Sequence, residues 1–182
     1  MRYAFHALAI DERRKPFTPT LWQQPAEDQG KNWLEQAWFS GVHSNVGGGY
    51  ADAGVSDITL KWMIEHAQLA GLEFIPAFVA RLKPNHLGKV YDSLDGPMKA
   101  LGEYTRVLDE MRTREEDGQS SNTRTWEYVH HTAKQRHDET LASPNEWDPE
   151  NFAQYSARKT PEPQFFDYLP RTHNWPIEQL QH

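Results

Sequence analysis

The stretch Trp38–Tyr50, WFSGVHSNVGGGY, limits what this chain can fold into more than any other. An apolar run of strand length, Leu34–Val42, leads into His43, and Gly47, Gly48 and Gly49 follow. That run is short and dense, which predicts a buried strand with glycine near its exit. A histidine on the loop beyond a strand's C-terminal end can reach a nucleophile over the top of an α/β sheet. Its near-neutral pKa suits a general base that later acts as general acid. Ser44, Asn45 and the three glycines would shape the loop, since glycine takes positive φ without steric cost. A tight turn that merely neighbours a histidine accounts for the same spacing.

Elsewhere the pattern is mixed. Tyr3–Phe17 reads as a short helix, with Phe5, Leu8 and Ala9 at 3–4 spacing and Pro16 closing it. Thr18–Asn32 is polar, contains Pro19, Pro25 and Gly30, and reads as a loop. Gly54–Leu72 is the clearest helix. Ser56 is its expected N-cap, Leu60, Met63, Ile64 and Ala67 its apolar face, and Gly71 its stop. Phe74–Leu82 fits a short helix or an extended segment, and 113–124 an exposed loop. Thr125–Leu141 reads as helix, with Trp126, Val129 and Ala133 on one side. Residues 143–182 form an irregular tail rich in proline and aromatics.

At 182 residues the chain has the length of one domain, 1–182. Hydrophobic residues are 37% and mean hydropathy is −0.84, short of what a full core needs, although 7 Trp, 7 Tyr and 8 Phe add large buried area. The expectation is a folded but incomplete domain. A net charge of −7 gives no general support for nucleic-acid binding. Without cysteine there is no disulfide, thiolate metal site or cysteine nucleophile. No signal peptide and no apolar run of membrane-spanning length is present, so the expected location is cytoplasmic, or reached by signal-peptide-independent export.

A serine hydrolase needs a nucleophile, commonly on a G-x-S-x-G elbow, and this sequence has none. Gly54–Ile58 lacks the second glycine, and Ser44 would have to turn back on its own neighbour. His130, His131 and His137 with Asp138 and Glu139 raise a metal site. The seven-residue step from His130 to His137 misses the i, i+4 spacing of a zinc helix, and a solvated face with one buried histidine is favoured. The glycine triplet lacks the G-K-[ST] of a phosphate loop. Neither metal nor cofactor is expected.

FHALAIDERRKPFTPTLW, EQAWFSGVHSNVGGGY and VSDITLKWMIEHAQLAGL occur here in an order and spacing that resembles one α/β-hydrolase family. That family was long catalogued as a domain of unknown function and includes phospholipase effectors of bacterial type VI secretion. YDSLDGPMKAL, TWEYVHHTAKQR and WDPENF are similar to its C-terminal portion, so the likeness covers most of residues 3–152. The resemblance implies that His43 is the base of a catalytic triad. It places the serine elbow, and the acid usually assigned, ahead of anything in this chain. Asp11, in the segment equivalent to the family's ALDE, is a lesser candidate for acid or supporting residue. Asn45 stands where the family pattern has aspartate.

The expectation is therefore an α/β fold: a partial α/β-hydrolase-like unit with few strands and a helix-rich C-terminal portion. It would act on ester bonds, in lipids or phospholipids, supplying the histidine while a preceding region or partner chain supplies the nucleophile. The alternatives are an inactive binding or accessory subunit derived from that fold, and a metal hydrolase built on His130, His131 and His137.

Overall fold

Alternation rather than helical periodicity governs the N-terminus. In the computed structural model, which describes residues 2–28, 31–94, 96–109, 123–158 and 165–166, β1 (Tyr3–Ala9) is a strand and not a helix. Phe5, Ala7 and Ala9 pack toward one face of the sheet and Leu8 and Ile10 toward the other. A short apolar run carries both periods, and pairing with a neighbour decides between them. That neighbour is β3 (Trp33–Phe39), parallel and in register from Tyr3↔Trp33 to Ala9↔Phe39. As expected, β3 is buried along its whole length.

The main sheet has the order β1-β3-β5-β6, with β5 at Glu127–His130 and β6 at Phe165–Phe166, and every pairing in it is parallel. β2 (Gln24–Pro25) and β4 (Thr123–Arg124) form a separate antiparallel ribbon. β5 corrects the helix expected over Thr125–Leu141. Tyr128 and Val129 face opposite sides of the sheet, as strand residues must. Only His131–Thr140 is helical.

After β3 come α1 (His43–Gly47), α2 (Gly54–Leu69) and the one-turn α3 (Pro76–Val79); after β5 come α4 (His131–Thr140) and α5 (Glu150–Ser156). Ile58 and Trp62 of α2 cover one face of the sheet with Val46, while Ala133 of α4 and Phe152 and Tyr155 of α5 cover the other. Helices on both faces of a mostly parallel sheet make this an α/β arrangement. Of the tail at 143–182, only 143–158 and 165–166 are described, and they hold α5 and β6; the remainder, like most of the loop at 113–124, lies outside the described residues.

α2 confirms the clearest helix but with two corrections. Ala53 is its N-cap, and Ser56 sits inside the first turn, donating from Oγ to Ala53 O at 3.0 Å. Its buried residues include Val55, Ile58, Thr59, Trp62 and His66, while Leu60 is 47% exposed. Polar residues in this face misled the hydropathy reading. His66 Nε2 lies 2.9 Å from the buried carboxylate of Glu35, which also accepts from Trp33 Nε1 (2.6 Å) and Tyr128 Oη (3.2 Å). Gly71, at φ 97°, ends the helix as expected.

Candidate functional site

Parallel pairing in register brings the C-terminal ends of β1 and β3 side by side. The ladder continues past both strands, through Ile10 N to Phe39 O (2.9 Å) and Asp11 N to Gly41 O (3.1 Å). Asp11 and Glu12 are thus laid against Gly41–His43. Gly41 has φ 101°, and a Cβ there would collide with the Asn45 side chain, so the turn out of β3 requires glycine.

His43 opens α1 with its side chain 44% exposed, while the Glu12 side chain beside it has no solvent exposure. His43 Nδ1 and Glu12 Oε2 are 2.6 Å apart. Arg14 holds the same carboxylate from two directions, with Nε 2.9 Å from Oε1 and Nη2 2.9 Å from Oε2, and its backbone N–H adds a bond at 3.1 Å. Burial opposes ionisation of Glu12, but the hydrogen bonds from Arg14 and His43 outweigh it and hold the carboxyl well below the usual carboxylate range. Arg14 Nη2 also lies 2.8 Å from His43 Nδ1. An ionised carboxylate is only an acceptor, so the Nδ1 proton goes to Glu12 and Nε2 is the accepting nitrogen. Nε2 lies 2.9 Å from Ser44 Oγ. Ser44 does turn back on its neighbour, its hydroxyl reaching the ring nitrogen from the first turn of α1. Phe17 packs on the imidazole with ring centroids 5.0 Å apart, and the Arg14 guanidinium covers Phe17 at 4.0 Å.

Asp11 points elsewhere. Its carboxylate accepts from Gly41 N and from Trp147 Nε1 (3.0 and 3.1 Å), tying the turn before His43 to the segment ahead of α5. Burial raises its pKa, against the lowering effect of those bonds. Asp11 has no hydrogen bond to His43, and the carboxylate beside the imidazole is that of Glu12. Sequence reasoning missed Glu12 because residues 3–17 were read as helix. Read as a strand end in register with β3, the same residues alternate sides, and Glu12 falls opposite Val42, next to His43.

Asn45 does not touch the imidazole either. It is buried, donating from Nδ2 to Lys89 O (2.9 Å) and accepting at Oδ1 from Val42 N (3.3 Å) and Tyr91 N (3.2 Å). Gly47 closes α1, and Gly48 and Gly49 follow at φ 88° and 125°, so both need the freedom of glycine. The ring of His43 opens on a mostly apolar groove of about 610 Å³, lined among others by Phe5, Ala7, Ala9, Val46, Leu60 and Met63.

His130 and His137 do not join this site. His130 is buried, stacks on Phe39 with centroids 4.6 Å apart, and bonds Thr132 Oγ1 at 2.7 Å. His137 pairs with Asp138 and Asp148. Among the described residues no group of three or more side chains is placed to hold a metal ion. None of the described helices is long and apolar enough to cross a membrane.

No curated protein and no solved structure matches the chain. Residues 1–66, which contain β1, β3, Glu12, the His43 loop and most of α2, match a family model described as the catalytic domain of type VI secretion system (T6SS) phospholipase effectors, Tle1-like. The family resembled by the histidine motif is thus the one matched: in this stretch the chain is similar to the catalytic domain of type VI secretion phospholipase effectors.

Proposed function

We propose that this chain is the base-bearing part of a serine-type α/β-hydrolase that cleaves ester bonds in phospholipids. The observation that carries the reading is the line Glu12 Oε2–His43–Ser44 Oγ, with 2.6 Å on the Nδ1 side and 2.9 Å on the Nε2 side. A base within hydrogen-bond reach of a hydroxyl and oriented by a third group is the signature of nucleophile activation. The match of residues 1–66 to a phospholipase catalytic domain supports the substrate class.

The nucleophile comes from a region preceding this chain or from a partner. Ser44 is covalent neighbour to its base and lies on no G-x-S-x-G elbow. It occupies the position beside Nε2 that the nucleophilic Oγ takes. Two features support a missing half. Among the described residues β1 is the edge strand of the main sheet, and an apolar groove runs beside it.

In the assembled enzyme His43 Nε2 takes the proton of the serine hydroxyl as Oγ attacks the ester carbonyl. Glu12 stays ionised, holds the Nδ1 proton and stabilises the imidazolium. The imidazolium returns the proton to the leaving alkoxide. Water then repeats the sequence on the acyl-enzyme, releasing the acid and restoring the serine.

Labelling with a fluorophosphonate, on protein purified from its native host, tests this reading. Mass spectrometry should find the label on a serine upstream of Met1 or on a co-purifying chain. Label on Ser44 would make this chain its own nucleophile source. No label anywhere would leave an inactive binding or accessory subunit.

A further inference from the structure

This chain is short of core, yet it leaves large apolar side chains in water. The segment beyond Gly71 leaves the C-terminal end of α2 and returns to its first turn, where Lys83 N donates to Asp57 Oδ2 (2.7 Å) and Asn85 N to Gly54 O (2.9 Å). Between these points Leu72, Ile75 and Phe78 are 56%, 62% and 59% exposed. Ile75 caps the single turn of α3 and Phe78 lies within it. A lone exposed leucine is ordinary, but three large apolar residues within seven positions are not.

The surrounding charge indicates the occupant. The protein carries −7 overall, but exposed Arg81, Lys83 and Lys89 follow this segment, and Glu73 is the only acid between Gly71 and Lys89. The Arg81 guanidinium lies over the Phe78 ring, 5.0 Å from its centroid, so a basic group accompanies the apolar one. Asp57 and Asp52 accept from the backbone N–H groups of Lys83 and Lys89, and an apolar tip followed by basic side chains fits the boundary between headgroups and acyl chains of an anionic bilayer. α2 also carries Ser56 and Leu60 into the wall of the groove beside His43, so the segment and the site share one helix.

We propose that Leu72–Lys83 docks the protein on an anionic phospholipid surface, with Leu72, Ile75 and Phe78 inserted and Arg81 and Lys83 on lipid phosphates. This rests on the lipid substrate class proposed above.

The test is flotation of the protein, with whatever region or chain accompanies it in its host, on vesicles of phosphatidylcholine alone or mixed with phosphatidylglycerol. Wild type should float with the mixed vesicles and lose binding as salt rises. Ile75→Asp with Phe78→Asp should weaken binding about tenfold or more. Arg81→Gln with Lys83→Gln should weaken binding to the mixed vesicles only. All four positions are exposed, so an unchanged thermal melt should confirm folding. No flotation by wild type, or equal flotation by the aspartate pair, overturns the proposal. So does loss of a co-purifying chain in the aspartate pair with vesicle binding unchanged, which would mark a protein interface. Hydrolysis of a water-soluble short-chain ester separates the two readings. If it persists while flotation fails, docking alone is wrong; if flotation survives without it, docking stands and the hydrolase reading falls.

Discussion

Glu12 Oε2 lies 2.6 Å from His43 Nδ1, joining a carboxylate without solvent exposure to an imidazole that opens on the groove. The bond sets the tautomer that exposes a basic Nε2, and Arg14 fixes the carboxylate from its other side.

Glu12→Gln keeps the shape but loses the charge. Hydrolysis by the assembled enzyme should fall about 10⁴-fold, as when the acid of a triad is replaced by its amide. Stability should fall by about 1–3 kcal/mol, because Arg14 then faces a neutral amide. A carboxylate with a depressed folded pKa contributes stability that is present above its unfolded value of 4.5 and lost as pH falls through the folded one. The deficit should therefore persist throughout about pH 6 to 8. Urea titrations of both proteins across that range check it.

Asp11 is separated from its neighbour by its partners, Gly41 N and Trp147 Nε1, both donors. Asp11→Asn turns an amide N–H₂ toward one of them and should cost about 1–3 kcal/mol. Hydrolysis well below the melting temperature should drop far less than in Glu12→Gln. A melt unchanged by the substitution would remove Asp11 as the anchor of the turn.

Asn45→Asp would restore the acid of the family pattern and should nonetheless destabilise. Lys89 O now accepts from Nδ2, and a carboxylate there would set two acceptors face to face. The expected cost is about 1–3 kcal/mol, read from thermal melts near neutral pH. A higher melting temperature for Asn45→Asp would show that the bond to Lys89 O is dispensable.

β5 carries two groups that titrate against each other. Burial pushes Glu127 up to about 7, with hydrogen bonds from Thr125 and Trp38 opposing, and burial pushes His130 down to about 3, helped by the nearby charges of His131 and His66. Glu127 keeps a proton that the unfolded chain releases from 4.5 upward, so its contribution falls as pH rises to about 7. His130 refuses a proton that the unfolded chain binds below 6.5, so its contribution rises with pH from about 3 to 6.5. The two effects offset each other between 4.5 and 6.5. Glu127→Gln should expose the His130 term, giving stability that climbs by about 2–3 kcal/mol over that range, and should raise stability at pH 8. Gln can still accept from Trp38 while Thr125 turns its hydroxyl to accept. Parallel pH profiles for wild type and variant would contradict this.

The sequence disclosed the buried strand β3, the helix after the glycines and His43 at their junction, because each is fixed by dense local signals. β1 was not legible: YAFHALA satisfies both the helix and the strand period, and only its pairing with β3 selects one. That error concealed Glu12, whose role follows from register and not from composition. The Thr125–Leu141 segment failed for the same reason, since the switch from β5 to α4 at His131 has no glycine or proline to mark it. The buried face of α2 was displaced because it includes Thr59 and His66, which a hydropathy pattern assigns to solvent. His66 is buried through its bond to Glu35, a contact between distant parts of the chain.

The central claim is that Glu12 and His43 activate a serine for attack on an ester. Its most direct test is the rate of fluorophosphonate labelling in native-host protein carrying His43→Ala or Glu12→Gln, each verified as folded. The account predicts that labelling falls at least about 10²-fold in both variants. Labelling of His43→Ala at the wild-type rate would contradict it.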